Sequence, residues 1–256
     1  MTVRVRWAAV FALVVACVLS AFGLSGCTTD QAPAEEPTPV LGWVVGDGCG
    51  TLADRVRSEA DGLVARGVAD AGYRSLYVVC DATEPAALED PTLHAYLGER
   101  GLDLAVVPPN DEAVDESIRA DTPLPALRTA ITRHVMAAQP LVFSGDAALL
   151  DDAHLATVAN SDVLAIGRDG RRTAGAPIKG DDERYSRAIG SQGLVVSLTN
   201  GESGPRDLSF DLAEVNLAGD DIVVATDVWT GRRVQASGGT ISVPVESTDS
   251  ALLRIG

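Results

Sequence analysis

Positive charge is what this chain has least of. Its 256 residues carry 20 Lys and Arg against 36 Asp and Glu, a formal net charge of −16. A surface that acidic repels phosphate backbones, which excludes nucleic acid as a partner. Histidine is nearly absent as well. The three present, His94, His134 and His154, lie far apart without paired ligand spacing, so they read as helix residues and predict no zinc or other metal site. No G-x-S-x-G elbow, P-loop or EF-hand loop occurs, and nothing calls for a cofactor.

Long apolar runs are scarce too, apart from one at the amino terminus. Arg4 and Arg6 precede Trp7–Phe22, and Leu24-Ser25-Gly26-Cys27 follows. A basic start, an apolar stretch short for a membrane span and small residues before a cut site make a secretory signal over residues 1–26. The L-S-G-C ending resembles the lipobox of bacterial lipoproteins. The resemblance implies cleavage before Cys27 and a lipid on its thiol, hence a membrane anchor on the extracytoplasmic face. Removing the signal takes two arginines with it, so the net charge goes from −16 to −18. Residues 27–39, rich in Pro, Ala, Thr and Glu and without hydrophobic period, read as a disordered tether.

Cysteine is scarce in an informative way. Of four, Cys17 lies in the signal and Cys27 takes the lipid, leaving Cys49 and Cys80. Outside the cytoplasm such thiols tend to be oxidised. They close two strands flanking one helix, where neighbouring strands lie ~4.8 Å apart, so a Cys49–Cys80 disulfide is expected over two free buried thiols.

The stretch Gly42–Asp81 organises what remains. It reads as strand, glycine-rich turn, amphipathic helix and strand. Thr51–Asp54 resembles a capping box; Leu52, Val56, Ala60, Leu63 and Val64 form the buried stripe; Gly67 stops the helix. Ligands of such βα units sit beyond the carboxyl ends of the strands, here Gly46–Gly50 and Cys80–Asp81. The G-x-G-x-G spacing at Gly46–Gly50 misplaces the last glycine of a dinucleotide fingerprint, so that reading fails. Further along, Leu93–Arg100 looks helical, Leu102–Val107 a buried strand, Asn110–Pro125 a surface loop, Leu127–Ala138 helical and Leu141–Phe143 a strand. Ala153–Val158 is a short helix before the apolar run Val163–Ile166. Beyond about residue 170 the period changes. Leu194/Val196/Leu198, Leu208/Phe210/Leu212, Ile222/Val224 and Ile241/Val243/Val245 alternate. Turns at Asn200–Pro205, Ala218–Asp220 and Ser237–Gly239 separate them, as in an antiparallel β-sandwich.

Gly42-Trp43, Cys49, the helix end Ala69–Tyr73 and the strand closing on Cys80 together resemble the opening of glycoside hydrolase family 27, the α-galactosidases and α-N-acetylgalactosaminidases. Leu127–Asp146 looks like that family's last barrel helix and strand, and Asn160–Asp169 like its exit from the barrel. Leu194–Asn200, Asp227–Gly231 and Ser242–Ile255 resemble its carboxy-terminal domain. The family pairs the two cysteines matching Cys49 and Cys80. The resemblance implies a (β/α) barrel-like domain at 40–170, then a β-sandwich at 171–256.

The barrel domain is truncated. Residues 40–170 number 131, against ~200 for the shortest closed (β/α)₈ barrels, and four or five strands can be placed. Retaining glycosidases need two carboxylates ~5–5.5 Å apart. The family's nucleophile and acid/base segments have no counterpart here. Asp47, Asp81 and Asp146 are the remaining catalytic candidates, and Trp43, Asp81 and Asp103 the candidate ligand contacts. The expectation is a non-catalytic, carbohydrate-related or structural surface lipoprotein, with a glycan or a second copy as possible partner. The alternatives are an active α-galactoside hydrolase and a solute-binding lipoprotein.

Overall fold

The computed structural model describes residues 41–47, 53–79, 90–107, 117–217 and 222–256. The first half alternates strands and helices: β1 (Leu41–Asp47), α1 (Ala53–Ala65), β2 (Ser75–Val79), α2 (Pro91–Gly98), β3 (Asp103–Val107), β4 (Ile118–Arg119), α3 (Leu124–Ala137) and β5 (Leu141–Ser144). A 3₁₀ turn (Ala147–Leu149), α4 (Asp152–Val158) and α5 (Ser161–Gly167) complete it.

Each helix is delimited locally. Gly67 adopts φ +73° after α1, a conformation that favours glycine and ends the helix as expected. Asp90 caps α2, accepting from the Thr92 amide at 2.8 Å, with Pro91 behind it in the first turn. Asp151 caps α4 and Asn160 caps α5. That last cap places the apolar run Val163–Ile166 in a helix, with Val163, Leu164 and Ile166 buried. In α1 the stripe is Val56, Ala60 and Leu63; Val64, assigned to it from spacing, is 42% exposed.

The five strands are parallel and ordered β3-β2-β1-β5-β4. In a barrel every strand neighbours its sequence successor and the last neighbours the first. Among the described strands the order is that of such a ring opened between β3 and β4. Strand β4 lies inside the segment read as a loop from its prolines and acids; only Ile118 and Arg119 pair, too few for a periodic signal.

The helix-facing side of this sheet is a dry core. Trp43 and Phe143 stack with ring centroids 5.8 Å apart, and Tyr73 meets both edge-on. Tyr73 donates to the Val158 carbonyl at 2.9 Å, and burial drives its phenol pKa far above the ordinary value.

The second half is antiparallel: β6 (Ala176–Ile178), β7 (Asp181–Ile189), β8 (Gly193–Thr199), β9 (Arg206–Asp211), β10 (Val224–Asp227), β11 (Arg233–Gln235), β12 (Thr240–Val245) and β13 (Ser250–Ile255). Six strands form one sheet, β11-β10-β13-β8-β7-β6, and β9 pairs with β12 in a second. One face of the larger sheet buries Val196, Leu198, Ala251 and Leu253 against Phe210, Ile241, Val243 and Val245 of the smaller. Its other face gives Val195 and Leu252 to the core of the first half. The described residues from Leu41 onward thus belong to one compact unit, with a core running across residue 170. Ile222, expected in a strand with Val224, lies outside β10 and is 76% exposed.

Helix α3 is the seam. Arg128 forms a two-pronged ion pair with Asp249. Thr129 donates to the Thr248 carbonyl at 2.9 Å, and the Trp229 indole donates to Thr132 at 3.1 Å.

Candidate functional site

Strand register fixes which residues share the face away from the helices, the one that lines the lumen in a barrel. Across the middle of the sheet the ladder aligns Ala105, Tyr77, Val44, Ser144 and Arg119. Toward the carboxyl ends the backbone register pairs Val79 with Val107 on one side and with Asp47 on the other. The five-residue row offers a phenol, a hydroxyl and a guanidinium but no carboxylate. Its cation is engaged locally: Arg119 Nη2 lies 2.6 Å from Asp121, and that hydrogen bond holds the Asp121 carboxyl below the usual range.

The residues singled out from sequence fare differently. Asp47 is the last residue of β1, at the carboxyl rim of the sheet and in backbone register with Val79. Asp81 and the pair Cys49 and Cys80 lie outside the described residues, as does Cys27. Asp103 opens β3 at the amino end, in register with Ser75, and is exposed; it stands at the wrong end of the sheet for a ligand contact. Trp43 is a correction. It was a candidate ligand contact, but it points to the helix side, is 0% exposed and donates its indole N–H to the Gly145 carbonyl at 2.8 Å. The alternation of β1, apolar at Leu41, Trp43 and Val45, is what turns it inward to the core.

Asp146 sits just past β5. Its Oδ1 accepts from the Ala148 amide at 2.9 Å, capping the 3₁₀ turn. Beside it stands an acid that sequence reasoning passed over. Glu59 of α1 accepts from the Ala147 amide at 3.0 Å. The two carboxylates therefore hold successive backbone amides of one turn. Partial burial, and secondarily the Asp146 charge, raise the Glu59 pKa above its ordinary value; the Ala147 amide and the Trp43 indole counter this. The only hint in the sequence was position: Glu59 directly precedes Ala60 at the margin of the buried stripe. Chemically, a carboxyl with raised affinity for its proton beside a second carboxylate is the pattern of an acid and its partner. Both, however, are engaged by backbone amides in the helix layer, on the side of the sheet where Trp43 lies.

Among the described residues no group of three His, Cys, Asp or Glu is placed to hold a metal ion. No described helix is long and apolar enough to cross a membrane.

Comparison with known proteins bears on both halves. Residues 180–255 match the family described as the alpha galactosidase C-terminal beta sandwich domain. Alpha-galactosidase I from Mortierella vinacea superposes with a TM-score of 0.71 at 10% identity, covering 85% of this chain and 96% of that one. An α-galactosidase from Saccharomyces cerevisiae gives 0.60 at 11% identity, covering 86% and 97%. No curated protein sequence matches. Residues 180–255 thus match the α-galactosidase C-terminal β-sandwich domain, and the chain shares the fold of these α-galactosidase structures, as the resemblance to glycoside hydrolase family 27 implied.

Proposed function

We propose that this chain binds carbohydrate at a cell surface without cutting it. One observation carries the reading. The row Ala105–Tyr77–Val44–Ser144–Arg119, across the middle of a sheet with the α-galactosidase fold, contains no carboxylate, whereas retaining hydrolysis needs two ~5–5.5 Å apart. Asp146, the described acid nearest the rim after β5, is engaged in capping. The lipid proposed on Cys27 would hold the domain at the extracytoplasmic face of the membrane, and the Cys49–Cys80 bridge would tie the first two strand ends together.

The test is release of nitrophenol from a nitrophenyl α-galactoside by the full chain. No release above that of a heat-denatured sample is expected. Turnover that Asp81→Asn or Asp47→Asn abolishes overturns the reading. One observation favours the alternative of an active hydrolase, namely Glu59 with its raised pKa beside Asp146. That version requires turnover to disappear in Glu59→Gln.

A further inference from the structure

We propose that the cleft between α3 and strands β7 and β8 is a saccharide-binding site, separate from the strand ends where this fold places its chemistry. The cleft encloses about 440 Å³, within the ~300–1,000 Å³ of small-molecule sites. Arg133 and Met136 of α3 line one side; Asp182 and Tyr185 of β7 and Ser197 of β8 line the other, with Gly175 between.

Ser197 is the telling group. The residue is 3% exposed, and its hydroxyl makes no hydrogen bond to any described residue. The hydroxyl oxygen itself is not sealed from solvent, and Ser197 lies on the cleft wall, so the cleft is the space from which a partner would reach it. Of the other polar groups lining the same space, Thr199 is bonded to Ser250, whereas the Arg133 guanidinium, the Asp182 carboxylate and the Tyr185 phenol make no hydrogen bond or ion pair among the described residues. Elsewhere in the chain arginines are heavily committed to carboxylates, as at Arg128, Arg184 and Arg206.

The chemistry selects the ligand. One cation and one anion cancel, so a net-charged ligand gains nothing. A guanidinium and two hydroxyls can donate, a carboxylate can accept from neighbouring hydroxyls, and the Tyr185 ring and Met136 provide an apolar wall. That set suits a neutral polyol ring with polar edges and an apolar face. Gly175 keeps the base of the cleft narrow: a Cβ there would stand 3.0 Å from the Ser186 carbonyl and 3.2 Å from Met136. The choice of a saccharide rests on the carbohydrate reading above; the location does not.

The chain contains two methionines, Met1 and Met136, so methyl-¹³C-methionine labelling of the full chain puts one probe in the cleft. Galactose and melibiose, titrated to millimolar levels, are expected to shift the Met136 methyl signal saturably and leave that of Met1 still. Asp182→Asn and Tyr185→Ala are each expected to weaken binding about tenfold or more, with thermal midpoints confirming that both variants fold. Saccharide binding that leaves Met136 unmoved and survives both substitutions overturns the cleft but not the carbohydrate reading. Absence of any saccharide binding, by calorimetry as well, overturns both. Saturation of the Met136 signal by glycylglycine at lower concentration than by either sugar shows a zwitterion site and overturns the saccharide assignment.

Discussion

At the scale of single residues, Glu59 shows how position outweighs type. An isolated helix glutamate is ordinarily solvated, but here the 3₁₀ turn after β5 packs over it and supplies one amide, that of Ala147. Burial dominates its raised pKa. The folded state therefore binds the Glu59 proton more tightly than the unfolded chain does. This contribution to stability is full below the ordinary value of 4.5 and is lost as pH rises through the folded pKa. Glu59→Gln keeps an acceptor for Ala147 and removes the charge. Its thermal midpoint relative to wild type is expected to climb between about pH 4 and pH 7. A difference that stays flat across that window refutes the argument. Trp43 teaches the converse. An aromatic beside the first strand's glycine looked like a ligand contact, yet strand parity alone, apolar at Leu41, Trp43 and Val45, already marked it as core.

At the scale of elements, the parts written in the sequence were those with a strong period. Strands β1, β2, β3 and β5, helices α1 and α3, and strands β8, β9 and β12 fall where the apolar spacing puts them. Strand β7 was missed for a physical reason: Asp181–Ile189 carries three acids and two arginines, and its buried face is polar. Arg187 fills that face. It is 2% exposed and donates to the carbonyls of Thr173 at 3.0 Å and Ile166 at 3.3 Å, and to that of Val135. It thereby adds a second donor to carbonyls near the carboxyl ends of α3 and α5, where Val135 also accepts from the Ala138 amide at 3.3 Å and Ile166 from the Asp169 amide at 3.2 Å. Burial lowers its pKa, and the Asp169 carboxylate, 3.9 Å away, partly offsets this. A buried ion replaced by an apolar side chain is often harmless, but here Arg187→Met takes a donor from three carbonyls, leaves that of Thr173 with none among the described residues, and opens a void in a buried site. The urea midpoint should fall by the equivalent of about 2 kcal/mol or more, with the slope unchanged. An unaltered midpoint would mean that water replaces the guanidinium at no cost.

At the scale of the molecule, the barrel-then-sandwich order was legible because the period changes from helical to alternating near residue 170. The opening between β3 and β4 was legible as missing length. The cleft beside Ser197 was not, because its walls come from α3, β7 and β8, far apart in sequence and without a shared motif. Attachment is a property of the entire chain. If Cys27 carries the lipid, Cys27→Ser should move the protein from the membrane pellet to the supernatant on fractionation, and continued sedimentation with membranes would refute the anchor.

The six-stranded sheet is sandwiched on both sides, by β9 and β12 on one and by α3 and its neighbours on the other. The carboxy-terminal half is therefore not a portable cassette. Transplanted behind another protein, it would bring a raw surface of Val195, Leu252 and an uncovered Arg187 that only this partner half was shaped to meet.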